Sequence, residues 1–240
     1  MKFKKRCIAI AIMTAFCSGI AQEKSKILVF SKTAGYRHQS IEKGIEAIKK
    51  LGNENDFVVE ATENSDVLVA NLNKYSAVVF LNTTGDVFTE KQQKTFKKYI
   101  SKGGGFIGIH AATDTEFDWP WYGNMVGAYF MSHPHKQNAT IDVVDKKHRS
   151  TKFLSDKWVK YDEWYNFKSI NKDINVLLKL DENSYSGGKN GNNHPIAWYH
   201  IYDGGRIFYT GLGHTKQSYE DVTFLKHVLG GILYAMGKTN

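Results

Sequence analysis

Gly103-Gly104-Gly105-Phe106-Ile107-Gly108-Ile109-His110-Ala111-Ala112 is the stretch whose reading decides the fold. It reads as a glycine-rich turn, a short apolar strand, and a histidine where the strand runs out, followed by small residues. In an open α/β sheet, ligands bind outside the carboxyl ends of the strands, near the point where strand order reverses. An imidazole there can serve as base, acid or metal ligand near neutral pH. The small residues Gly108, Ala111 and Ala112 allow a backbone or a substrate to come close. A core histidine bonded to a carbonyl is the plain alternative, and it is weighed against the histidines elsewhere in the chain.

Working outward, Lys26 to Ser31 reads as a first strand, almost wholly apolar and so covered on both faces. A loop, Lys32 to Gln39, leads to a helix with Ser40 as its N-cap, Ile41, Ile45 and Ile48 at helical spacing, and Gly52 as its end. Strands follow at Phe57 to Ala61 and Ser76 to Asn82. Thr89-x-x-Gln92 forms a capping box that opens a helix to about Lys102, with Gly103 as its stop, and Phe106 to His110 is the fourth strand. This order predicts a parallel sheet flanked by helices.

The second half predicts strands at Thr140 to Val144, Val159 to Tyr165 and Asn175 to Leu180. A hairpin from Pro195 to Thr210 turns at Asp203-Gly204-Gly205, and a last helix spans about Asp221 to Met236. The fold class is therefore α/β: a flavodoxin-like three-layer sandwich with a β-rich C-terminal extension.

The N-terminus has the pattern of an export signal. Lys2, Lys4, Lys5 and Arg6 precede the apolar run Cys7 to Ala15, and Gly19-Ile20-Ala21 supplies small residues for cleavage. The expected organisation is a signal peptide over 1–21 and one domain over 22–240, in the periplasm or secreted, with no permanent membrane span. Phe16 argues against lipidation at Cys17, where a small residue is expected. Cleavage removes four of the 32 Lys and Arg and none of the 24 acids, which lowers the net charge from +8 to +4. That balance, with no arginine run interleaved with aromatics, argues against a nucleic-acid partner. Both cysteines leave with the signal, which excludes a thiol nucleophile, a disulfide and a thiolate metal site in the mature chain. No Gly-Lys-Ser/Thr follows the glycine run, so no nucleotide cofactor is expected.

Five histidine positions fall at element ends: His38, His110, the His133-Pro134-His135 pair, His194 and His214. Loops after the first and fourth strands of a parallel sheet open on one edge, which predicts His38 and His110 as neighbours. Spacing alone does not bring in the others. His148, His200 and His227 read as surface, strand-face and helix-face residues. Of the pair Asp162-Glu163, strand alternation sends one inward, and Glu163 is taken as that one. It would act as metal ligand, acid/base or orienter of a histidine, against the reading of a solvated acid. Asp114 either orients His110 or caps a helix. Trp119, Trp121 and Tyr122 either wall a sugar pocket or pack a short helix. The loop Gly187 to Asn193 is a lid or a plain connection.

Gly35-Tyr36-Arg37-His38-x-Ser40-Ile41, Gly103 to His110, Trp119-Pro120-Trp121-Tyr122, Phe130-x-x-His133-Pro134, Asp162-Glu163-x-Tyr165 and Thr210-Gly211-Leu212-Gly213-His214 together resemble the motifs of the ThuA-like, trehalose-utilisation family. They occur in order over about residues 26 to 237. The resemblance implies a fold similar to class I glutamine amidotransferases, with His110 where those enzymes carry a nucleophilic cysteine, so an acyl-enzyme is not implied. It further implies catabolism of disaccharides and glucosides, especially 3-keto sugars.

A ketone at C3 acidifies the C2 proton and makes the glycosidic oxygen a β leaving group, so a base, a ketone-polarising group and an acid would cleave the bond by elimination. The expected catalytic residues are His38, His110, Glu163 and His214. Substrate contacts are expected from Tyr36, Arg37, Asp114, Trp119, Trp121, Tyr122, His133, Tyr165 and His194. A divalent metal, zinc or similar, would sit on His110, His133 and His214. The leading expectation is an exported carbohydrate-active enzyme with a small carbohydrate substrate. The alternative is a non-catalytic sugar-binding protein using the same pocket.

Overall fold

Alternate residues of one strand show why helices must cover both faces of the sheet. On β3 (Ala77–Leu81), Phe80 packs against Phe96 and Phe106, while its neighbour Leu81 meets Gly44 on the opposite face. The computed structural model describes residues 24–238, so the expected signal peptide and both cysteines lie outside the described residues. The parallel half comprises β1 (Ser25–Phe30), α1 (Ile41–Glu54), β2 (Phe57–Thr62), α2 (Ser65–Asn71), β3, α3 (Glu90–Ser101) and β4 (Gly105–Ile109). Then come α4 (Pro120–Val126), β5 (Tyr129–Ser132), β6 (Gln137–Val143), β7 (Lys157–Asp162), β8 (Asn166–Lys168), β9 (Asn175–Leu180), β10 (Pro195–Tyr202), β11 (Gly205–Thr210) and α5 (Val222–Ala235). No helix among the described residues is long and apolar enough to cross a membrane.

One nine-stranded sheet runs β2-β1-β3-β4-β11-β10-β9-β6-β7, and β5 pairs with β8 in a separate ribbon. The pairs among β2, β1, β3, β4 and β11 are parallel, and those from β11 through β10, β9 and β6 to β7 are antiparallel. This is the expected α/β sandwich with its β-rich extension. β11 enters parallel to β4, so the loop after β11 opens on the same edge as those after β1, β3 and β4. Counted along the sheet, β7 lies four strand spacings from β11, roughly 19 Å for a flat sheet. Yet Asp162, at the end of β7, accepts a hydrogen bond from the Gly213 amide just past β11 at 2.9 Å. The extension therefore curls over the carboxyl edge, and this curl closes the site.

The capping box is present: Thr89 accepts from the Gln92 amide, and the Gln92 side chain accepts from the Thr89 amide. Close approach explains the glycine run better than phosphate binding would. A Cβ at Gly105 would strike the Ala235 carbonyl oxygen and the Ala77 side chain, so α5 packs directly on backbone there.

Several sequence expectations are corrected. Helix α1 continues through Gly52 to Glu54, and the glycine serves close packing, because a Cβ would meet Val59 and the Phe57 carbonyl. The strand expected over Val159 to Tyr165 ends at Asp162, and the chain turns before the short β8. Helix α2 was not legible, since seven residues show too little of a 3.6-residue period; Asn64 caps it by accepting from Asp66 and Val67. His148 is buried rather than on the surface. Its Nδ1 lies 2.8 Å from Ser150 Oγ and its ring stacks on Tyr199. His200 and His227 do lie on a strand and a helix, on β10 and α5, and are buried there, bonded to the Met125 and Ser150 carbonyls.

Candidate metal centre and active site

His110 follows β4 with a φ of +49°, a left-handed conformation uncommon for a side chain other than glycine. Such outliers persist only where the surroundings hold them, and they gather at functional sites. Here the Tyr209 hydroxyl donates to the His110 carbonyl at 2.8 Å. The ring Nδ1 lies 2.8 Å from the Gly211 carbonyl oxygen. A carbonyl only accepts, so Nδ1 carries a proton and Nε2 is the nitrogen turned to the cluster. That is the usual outer support of a metal-binding imidazole.

Three imidazoles meet there. The ring centroids of His38, His110 and His214 are 5.0, 5.1 and 5.1 Å apart, with interplanar angles of 81 to 88°. Glu163 Oε2 lies 3.0 Å from His214 Nδ1 and 3.4 Å from His110 Nε2, and those two nitrogens are 3.2 Å apart. One ligand atom from each of His38, His110, Glu163 and His214 falls within 4.8 Å of the others. Tetrahedral zinc with bonds of about 2.0–2.2 Å separates its donors by about 3.3–3.5 Å, close to the three measured distances. The same contacts are satisfied by one proton on His214 Nδ1 shared with the carboxylate, so the group can exchange that proton for a cation. This group could therefore bind a metal.

The electrostatics agree with that donor set. Burial opposes the charge of Glu163, but its contacts with His110 and His214 outweigh burial and hold the acid well below the usual carboxylate range. Burial, reinforced by the neighbouring imidazoles, pushes His38 down to about 2 and keeps it neutral. His38 Nδ1 and the Asn82 Oδ1 atom are buried without a hydrogen-bond partner among the described residues. Beneath the cluster, Asn82 donates to Ser40 Oγ at 3.2 Å, and Ser40 donates to the Gly213 carbonyl at 3.4 Å. Ser40 thus ties the loop after β11 to the start of α1 instead of capping the helix with its side chain.

Sequence alternation chose Glu163 and passed over Asp162, but both are buried because the strand stops between them. Asp162 accepts from the amides of Glu163, Gly213 and His214 at 3.0, 2.9 and 3.1 Å, and from Ser218 Oγ at 3.0 Å. One carboxylate thus orders two of the four clustered residues. Asn82 was missed too, although its place at the end of β3 is the signal that singled out His38 and His110.

The remaining expected residues divide by position. His133, expected as a metal ligand, lies outside the group of four, and His38 takes that corner. Its Nδ1 is 3.3 Å from Glu163 Oε1 and 2.9 Å from the Pro134 carbonyl, on a half-exposed side chain. Tyr165 packs on His110 with centroids 4.1 Å apart. His194 is sealed behind Tyr165: its Nε2 lies 2.8 Å from the Tyr165 carbonyl and its Nδ1 2.7 Å from Glu182. Glu182 also accepts from the Asn190 and Gly191 amides, which fastens the loop expected as lid or connection. Asp114 neither bonds His110 nor opens a helix. It ends the short helical turn after β4, where burial raises its carboxyl to about 6 against a small pull from His133. Tyr36 meets His38 edge-on at 4.9 Å, while Arg37 turns outward to Glu42 and Glu63. Tyr122 is buried against Phe80 and Phe106, and Trp121 stacks on Trp119 and reaches Asp203. Those rings pack the sheet face, away from the histidines.

These features define an α/β protein with a glutamine amidotransferase-like fold and a histidine at the turn after β4. The chain belongs to the ThuA family: the family model described as trehalose utilisation matches residues 26–235. A protein described as ThuA-like from Bacteroides uniformis superposes with a TM-score of 0.75 at 24% identity, over 92% of this chain and 95% of that one. Another, from Parabacteroides merdae, gives 0.74 at 21%, over 91% and 92%. The protein described as PurLQS from Thermotoga maritima shares the fold at 0.55 and 12%, over 88% and 98%. No match is found among curated proteins.

Proposed function

We propose that the protein is an exported carbohydrate-active enzyme that cleaves 3-keto-glucosides by elimination, with a divalent ion on His38, His110, Glu163 and His214. The observation that carries this reading is the three-imidazole, one-carboxylate cluster, whose donors on His110, Glu163 and His214 lie near the spacing of a tetrahedral ion and whose His110 Nδ1 is fixed from behind. A donor set without thiolate suits zinc, nickel or a similar borderline ion. When bound, such an ion polarises the substrate ketone and so acidifies the neighbouring C2 proton.

The chain's own groups supply the proton transfers. His133 shares its Nδ1 proton with Glu163 and the Pro134 carbonyl, which leaves Nε2 free as the base. It takes the C2 proton, the C1=C2 double bond forms, and the C1–O bond breaks with its electron pair on the leaving oxygen. Asp114, held protonated up to about pH 6, gives that oxygen its proton. The products are a 1,2-unsaturated 3-keto sugar and a free alcohol. Tyr165, whose phenol is kept neutral chiefly by burial and also by nearby Glu163, packs against the His110 ring.

The test is incubation with methyl and phenyl glucosides and their 3-keto derivatives, before and after chelation, with metal content and melting temperature measured in parallel. Only the keto sugars should be cleaved, and chelation should remove both the ion and several degrees of melting temperature. Cleavage of unoxidised glucosides at the same rate would overturn elimination. Full activity in metal-free protein would overturn the metal. Tight sugar binding without turnover would make this a binding protein.

A further inference from the structure

The geometry points to a subsite beside His214 that receives the leaving group and favours one bearing a negative charge, a substrate class that rests on the glycoside reading above. A cavity of about 280 Å³ opens next to the histidine cluster, lined by Tyr36, Gln39, Lys136, Tyr161, His214 and Lys216 among others. His214 belongs to both, so this cavity lies beside that imidazole for the group a sugar ring seated at the cluster releases. The volume suits one additional ring rather than a long chain. Tyr36 and Tyr161 are more than half exposed, at 63% and 51%, and offer flat apolar faces of the kind pyranose or aryl rings pack against.

The charge balance gives the preference. Two ammonium groups line the cavity and no carboxylate does. Glu42, the acid whose field reaches Lys216, is itself bonded to Arg37 at 2.7 Å. The Glu163 carboxylate is taken up by His110, His133 and His214. Each lining residue stands within three positions of a clustered or adjoining one: Lys136 follows His135, Tyr161 precedes Asp162-Glu163, and Lys216 follows His214-Thr215. The segments that build the catalytic cluster therefore also set the sign of the field at its mouth. A carboxylate or sulfate on the departing ring would meet both lysines, and a neutral ring would meet only the tyrosines.

The experiment titrates the full protein with phenyl and 4-carboxyphenyl glucopyranosides, both anomers, which differ by one charge. The acid should bind about tenfold more tightly at low salt, as two partly exposed cations allow. The ratio should fall towards one in 0.5 M salt by screening, and in the K136Q/K216Q double variant. Equal binding of the two glycosides, or a preference that survives the double substitution, would overturn the subsite. If neither these glycosides nor their 3-keto derivatives bind, the glycoside reading fails by itself, and the subsite is then judged by 4-hydroxybenzoate against phenol. Selective perturbation of the His214 and Lys216 NMR signals by the acid would sustain it, and no perturbation would end it.

Discussion

Asp162→Asn tests whether one buried carboxylate holds the site together. Asp162 has no solvent exposure and accepts four hydrogen bonds, from the Glu163, Gly213 and His214 amides and from Ser218 Oγ. The amide keeps the shape, but it retains one accepting oxygen and turns an NH2 group towards donors. About two of the four bonds are lost, at about 1.5–3 kcal/mol each for a charged acceptor. Relief from desolvating a buried carboxylate offsets part of that loss. The net destabilisation expected is about 2–4 kcal/mol, a large share of the ~5–15 kcal/mol of a typical domain, so the variant should still fold. Because Gly213-His214 and Glu163 lose a common anchor, metal affinity should fall about 10–100-fold, as when outer supports of metal ligands are removed. Urea unfolding of chelated protein measures the first effect, and competition with a zinc-binding dye measures the second. Wild-type metal affinity in a folded but destabilised variant would refute the positioning role and leave Asp162 as a fold residue alone.

Four further outcomes are expected. His110→Ala should lower turnover of 3-keto-glucosides by about 10²-fold or more, at least ~2.7 kcal/mol of barrier. His200→Ala, which removes a buried contact to the Met125 carbonyl, should lower the melting temperature while the folded protein turns over normally. Asp114 is raised in the fold, so the stability it contributes is complete below about pH 4 and is lost as pH rises through about 6. Asp114→Asn should flatten that fall, by about 1–2 kcal/mol after allowance for partial solvent access, seen as urea midpoints between pH 4 and 7 in chelated protein. N-terminal sequencing of exported protein should begin at Gln22, and a lipidated Cys17 would refute the cleavage site.

The parallel half of the fold was legible because β1, β3 and β4 are apolar on both faces and its helices carry local start and stop signals. Lys26 to Ser31, the Thr89 capping box and the hairpin from Pro195 to Thr210 all fall within a residue or two of the observed elements. Legibility failed where the governing contact was remote. Nothing near Gly52 says that Phe57 and Val59 will pack on it, and nothing near His148 says that Tyr199 will cover it. The ribbon of β5 and β8 has too few residues to show a period.

The site divides along the same line. Strand-end position in a parallel sheet is a local property with a global consequence, which is why His38 and His110 were found together and why Asn82 should have been added. His214 reaches them because β11 pairs in parallel beside β4, whereas Glu163 does so because the extension curls, and the curl is fixed by a carboxylate that alternation had turned away from the interior. Alternation is a rule for residues within a strand, and Asp162 is the last residue of β7. Past that point the backbone is free to turn, so adjacent carboxylates can both face inward. That His38 and not His133 joins the cluster of four has the same origin. His133 sits on the segment after β5, which pairs only with short β8, whereas His38 is held by the loop between β1 and α1 against the end of β3. The four clustered side chains stand on or beside the rigid edge of the large sheet, and the imidazole on the lighter ribbon is left half-exposed beside them.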